Sequence, residues 1–170
     1  MGFAGWFAVS MGVVAAILAI ALDGAWDHIA RAGMNARLHA PDMALWARLP
    51  LAIKLHILGA ISALIVGAVL MTARKGFRFH RTAGWLWVGL VSLVAGSSLF
   101  ITTLNRGHFS LLHLFTGWIL IVLPLAVIAA RRRNVARHRR AMMGLFYGGF
   151  AMNIFIAFIP GRTMWMMLFG

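Results

Sequence analysis

The chain has 170 residues, 62% of them apolar, and a formal charge of +13. Soluble domains run at about half apolar, so this chain is too hydrophobic for a water-facing fold. With no cysteine, disulfides, iron–sulfur clusters, thiolate metal sites and cysteine nucleophiles are excluded. Asp23, Asp27 and Asp42 are the only acidic side chains and share one loop, which leaves no material for paired-carboxylate catalysis. The cations sit in short clusters between uncharged stretches, which argues for loops beside membrane spans and against nucleic acid as a partner.

In chain order, the charge-free runs predict an all-α membrane protein of about five spans. The first covers about Trp6 to Leu22. No Lys or Arg precedes it, so it reads as a retained helix and not a cleaved leader. Residues 23–50 are too polar to cross. Trp26, Ile29, Gly33 and Met34, then Met43, Leu45, Trp46 and Leu49, recur at helical spacing, and the segment is expected to lie along the outer surface as one or two interfacial helices.

The second span lies between Lys54 and Arg74, the third between Arg81 and Arg106, the fourth between Arg106 and Arg131, and the fifth between Arg140 and Arg162. A tail, 161–170, follows the Pro160-Gly161 stop and is expected in the outer interface. The whole is read as one transmembrane domain, with a repeat unit at 51–105 and another at 106–160. Arg74, Lys75, Arg78 and Arg81 in one loop, and Arg131, Arg132, Arg133, Arg137, Arg139 and Arg140 in another, mark the cytoplasmic side. The amino terminus is then inside and the carboxyl terminus outside.

The two units align residue by residue. Leu55-His56-Ile57-Leu58, an apolar run, Arg74-Lys75 and His80-Arg81 match Leu112-His113-Leu114-Phe115, an apolar run, Arg131-Arg132-Arg133 and His138-Arg139. The offset is 57 at the first histidine and 58 at the second, so one inserted residue in the basic turn reconciles them. Two repeated hairpins forming a four-helix bundle would carry His56 and His113 near the outer ends of parallel helices, and His80 and His138 near the inner ends of the other two.

Paired imidazoles inside a helical bundle are the axial ligand set of a six-coordinate b-type haem, and an intramembrane histidine is costly without a partner. Gly59, Gly84 and Gly117, three or four residues past a histidine, would let a flat macrocycle approach the backbone. Lys54 outside, and Arg81 and Arg139 inside, would face its propionates. The commoner roles of these residues are also open: headgroup contact for His80 and His138, and close helix packing for the glycines. His28, His39 and His108 have no repeat counterpart and read as interfacial.

The pattern Leu-His, basic turn, Phe-His-Arg-x-x-Gly-Trp, then Leu-His-Leu-x-x-Gly and Arg-His-Arg-Arg resembles a family of uncharacterised bacterial predicted membrane proteins over about Leu49 to Pro160. The ligand layout also resembles the transmembrane di-haem cytochromes b. That second resemblance implies two haems b, one on His56 and His113 and one on His80 and His138. It also implies electron transfer from a quinol or small reductant to an acceptor across the membrane, and richness in Ala and Arg without cysteine is compatible with a bacterial inner membrane. Two other classes are compatible with the sequence: a non-catalytic membrane subunit or assembly factor docked on a membrane partner or on a second copy, and a carrier of small solutes or metal.

Overall fold

Pro50 precedes a 22-residue apolar helix and its carbonyl accepts from the amides of both Ile53 and Lys54, so the chain turns into that helix at the point where proline's missing N–H costs nothing. The computed structural model describes residues 24–101 and 112–169, with five helical positions, 8, 12, 15, 16 and 19, from the expected first span. The described helices are α1 (Trp26–Met34), α2 (Met43–Arg48), α3 (Leu51–Thr72), α4 (Arg78–Ser98), α5 (Leu112–Arg131), α6 (Val135–Gly144), a π-helix (Leu145–Ala151), α7 (Met152–Ala157) and α8 (Thr163–Leu168). The rest of the first span, and Arg106 and His108 between the repeats, lie outside the described residues. The chain divides into two compact units, Leu49–Gly149 and Met1–Arg48 with Phe150–Gly170.

Three described helices are long and apolar enough to cross a bilayer: Leu51–Thr72, His113–Arg131 and Val135–Ala157. The helix α4 has 21 residues, close to the length a hydrocarbon core of about 30 Å requires. Arg78, His80 and Arg81 at its start, and five serines and glycines in its last ten residues, dilute its apolar character.

Within Leu49–Gly149, α3 packs on α4, α4 on α5 and α5 on α6. The contacts between successive helices join His56 to Val94, Ser98 to Thr116 and Ala126 to His138, residues near opposite ends of their helices, so each neighbour runs antiparallel. Large side chains are turned outward and small ones inward. Leu51, Leu55, Leu58, Ile65 and Val69 are exposed along α3, whereas Gly59, Ala63 and Gly67, at every fourth position, are its buried residues. In lipid there is no hydrophobic gain from burying Leu, so close backbone approach on a small-residue stripe drives association instead. Val94 of α4 seats against Gly59, where an added methyl would come within 3.1 Å of Cγ2. At Gly67 a methyl would lie 2.5 Å from the Phe146 ring and 2.7 Å from Trp87 Nε1. That indole nitrogen donates to the Ala63 carbonyl at 2.9 Å, satisfying a polar group that neither lipid nor core would.

The two basic turns share a backbone device. Gly76 has φ +86° and Arg133 has φ +57°, both left-handed and 57 positions apart. After α5, Asn134 N donates to Ala129 O at 2.9 Å and Arg133 N to Ala130 O at 3.0 Å. This is the Schellman closure, built here on arginine where glycine is usual. Asn134 then caps α6, its Oδ1 accepting from Arg137 N at 3.0 Å. The residue inserted in the second repeat therefore falls between Arg133 and His138.

The other unit joins the segment after the first span to the carboxyl tail. Leu38 pairs antiparallel with Phe169, His39 N donates to Leu168 O and Asp42 N to Met167 O, each at 3.0 Å. Asp42 Oδ1 caps α2 by accepting from Leu45 N at 2.9 Å. Phe169 stacks on Trp165 with centroids 4.7 Å apart, and Met167 and Ile156 are buried. The sequence reading placed both segments in the outer interface but did not foresee their pairing.

Candidate functional site

The four repeat histidines fall on four different helices, His56 on α3, His80 on α4, His113 on α5 and His138 on α6. All four belong to the Leu49–Gly149 unit. Two of them are tied to the neighbouring helix by the same kind of bond. His56 Nδ1 donates to the Val94 carbonyl of α4 at 3.1 Å, and His138 Nδ1 donates to the Ala126 carbonyl of α5 at 3.0 Å. A carbonyl can only accept, so Nδ1 carries the proton in each ring, and in the neutral imidazole Nε2 presents a lone pair. A backbone carbonyl holding the remote N–H is the support that fixes ring orientation and tautomer in metal-ligating histidines.

Around His56 a polar layer is continuous across three helices. Ser97 Oγ lies 3.3 Å from His56 Nδ1 and donates to the same Val94 carbonyl at 3.0 Å. Next to it, Ser98 Oγ donates to Ala95 O at 2.8 Å and is 2.7 Å from Thr116 Oγ1. Thr116 sits one turn beyond His113 on α5, and the Nε2 atom of His113 is enclosed by protein. The serines and the threonine were not singled out in the sequence. Ser and Thr at helix spacing give no signal by themselves, and only the α3–α4–α5 packing aligns them.

Near the basic turns His80 and His138 lie within electrostatic reach of one another. Lys75 also acts on the His80 ring. The His80 Nδ1 atom is enclosed and meets no hydrogen-bond partner, while the ring as a whole remains partly open. An enclosed ring nitrogen with no partner is a cost of about 1–3 kcal/mol unless something occupies the space beside it.

The other expected contributors separate into kinds. Gly59 is taken up by packing against Val94, whereas an added methyl at Gly84 or Gly117 would meet nothing within 4 Å. Arg81 and Arg139, each one residue past an inner histidine, are exposed, and Lys54, two residues before His56, is half-buried. His28 and His39 are exposed, and the His39 Nδ1 donates to Ala40 O at 2.7 Å. Among the described residues no three histidine or acidic side chains come together as a metal cluster. An axial pair of imidazoles is a different arrangement, in which the macrocycle supplies the remaining ligands.

This donor set fits a b-type haem on two points. Nε2 is left available on two tethered rings, His56 and His138, and His80 has a buried Nδ1 without a hydrogen-bond partner.

The chain belongs to the family described as "Predicted membrane protein (DUF2306)", whose model matches residues 53–169. That stretch takes in the four helices and all four repeat histidines, so the membrane-protein reading and the resemblance carried by the paired Leu-His and His-Arg motifs hold. No curated protein and no solved structure matches the chain. The likeness to di-haem cytochromes b therefore rests on the histidine layout alone.

Proposed function

We propose that this membrane protein carries electrons across the bilayer through two b-type haems, held by His56 with His113 in one layer and by His80 with His138 in the other. The observation that carries the reading is the pair of Nδ1–H···O=C tethers, His56 to Val94 and His138 to Ala126. Each leaves Nε2 of a ring inside the membrane unit as a ready donor. Bound haem would supply the one-electron chemistry. The chain's own part is to fix ligand orientation, exclude water with exposed-to-lipid Leu and Ile, and place cations beside the layers. Arg81 and Arg139 would face propionates inside, and Lys54 outside. A quinol or small reductant is the class of donor, with the acceptor on the opposite face.

The pairing of residues 38–42 with 167–169 supports the proposed topology. Two segments that hydrogen-bond to each other lie on one face of the membrane, so the chain between them crosses an even number of times. With α3, α5 and the Val135–Ala157 helix as three crossings, α4 becomes the fourth. The basic turns lie together at one end of their own unit, and the positive-inside bias makes that end cytoplasmic.

An absorption spectrum of the purified protein, oxidised against dithionite-reduced, tests the function. A Soret band with a sharp reduced α band is expected, halved in His56→Ala and in His138→Ala. Colourless protein from haem-replete cells would favour the second reading, a non-catalytic membrane subunit. In that case the same two tethers serve only to clamp α3 to α4 and α5 to α6, a use of interhelical hydrogen bonds that is common in membranes.

A further inference from the structure

No acidic side chain follows Asp42 in the sequence, so the Leu49–Gly149 unit has no carboxylate with which to neutralise its cations. Ten of those cations lie in or beside the two hairpin turns: Arg74, Lys75, Arg78 and Arg81 at the first, and Arg131 to Arg133, Arg137, Arg139 and Arg140 at the second. Every one of them is exposed. Antiparallel packing of α3 on α4, α4 on α5 and α5 on α6 brings both turns to one end of the unit. A direct sign of that convergence is that Lys75 of the first turn and His138 beyond the second both act electrostatically on His80. The first turn also carries apolar groups suited to headgroup depth. Phe77 and Phe79 are 60% and 57% exposed, and the Arg74 guanidinium lies over the Phe77 ring at 5.3 Å.

Like charges held together at the end of a membrane bundle require counter-charge from outside the chain, and the anionic leaflet is the nearest source. We infer that the two basic turns form one docking surface for a phospholipid whose headgroup carries two phosphates, one phosphate engaged by each turn. A lipid with both phosphates on one headgroup gains from the second contact without a second ordering cost, so it binds more tightly than two separate single-phosphate lipids of equal total charge. Nothing in this surface depends on haem, and the residues used to test it flank none of the four histidines.

The test uses the full chain in phosphatidylcholine nanodiscs containing either cardiolipin or twice the amount of phosphatidylglycerol, so that phosphate charge is matched. Native mass spectrometry reads retained lipid, and thermal unfolding reads stabilisation. Cardiolipin is expected to be retained about 10-fold or more in preference to phosphatidylglycerol. Arg74→Gln/Lys75→Gln and Arg132→Gln/Arg133→Gln should each abolish the preference while unfolding at the parent temperature in phosphatidylcholine alone. Where a double variant does not fold in phosphatidylcholine, Lys75→Gln or Arg132→Gln singly should reduce the preference in the same sense. Equal retention of the two lipids at matched charge, or a preference that survives neutralisation of either turn, overturns the inference. Retention of neither lipid also overturns it, and points to an acidic protein surface as the occupant.

Discussion

His56 and Val94 are joined across two antiparallel helices, the imidazole Nδ1 donating to a carbonyl 3.1 Å away, so one side chain both clamps α3 to α4 and aims its own Nε2. The second repeat solves the same problem from the other helix. There His138, on the later helix of its hairpin, reaches back to Ala126 on the earlier one at 3.0 Å. The tethers thus sit in opposite layers, one per hairpin.

Removing either tether should be felt as a lost interhelical bond. His56→Ala and His138→Ala are each expected to destabilise the protein by about 1 kcal/mol, the scale of such bonds in membrane and soluble proteins alike. Chemical unfolding in detergent micelles measures this. Because the bonds lie in separate hairpins, the double variant should lose the sum of the two single effects.

The small-residue stripe makes a graded prediction. Gly67→Ala drives a methyl into Trp87 and Phe146 and should cost about 1–3 kcal/mol through overpacking. Gly59→Ala meets only the Val94 methyl at 3.1 Å and should cost less. Gly89→Ala, with nothing within 4 Å, should be neutral or stabilising from helix propensity. Unfolding midpoints of the three variants should fall in that order, lowest for position 67.

The basic turns offer a test of backbone strain. Arg133 holds φ +57° without being glycine, a conformation that disfavours a side chain by about 1 kcal/mol. Arg133→Gly should therefore raise the unfolding temperature, and Gly76→Ala, at φ +86°, should lower it by a comparable amount.

The absence of cysteine makes membrane sidedness easy to read with single-cysteine reporters. Ala40→Cys and Met166→Cys, at exposed positions in the paired segments, should both react with a membrane-impermeant maleimide from one face. Lys75→Cys and Arg132→Cys should react from the other. Labelling of positions 40 and 166 from opposite faces would remove α4 as the fourth crossing.

Composition and charge spacing by themselves determined that the chain is helical and lives in a membrane. They also located the apolar runs now seen as α3, α5 and the Val135–Ala157 helix, because bilayer thickness and the cost of unsatisfied backbone in lipid act on sequence directly. The repeat, with its histidines at offsets of 57 and 58, was equally legible, since a duplicated pattern needs no coordinates to be recognised.

Tertiary structure decided what those residues touch. Gly59 was read either as room for a cofactor or as a close-packing position, and Val94 seats against it. Ser97, Ser98 and Thr116 gave no sequence signal and became a polar layer only when three helices aligned them. The partner of Leu38 lies 131 residues away at Phe169, and no local pattern specifies so distant a pairing. Periodicity reports which way a side chain faces relative to its own helix axis, whereas the group it meets depends on how neighbouring helices are rotated and shifted. Close approach along Gly59, Ala63 and Gly67 fixes that rotation for α3 and α4.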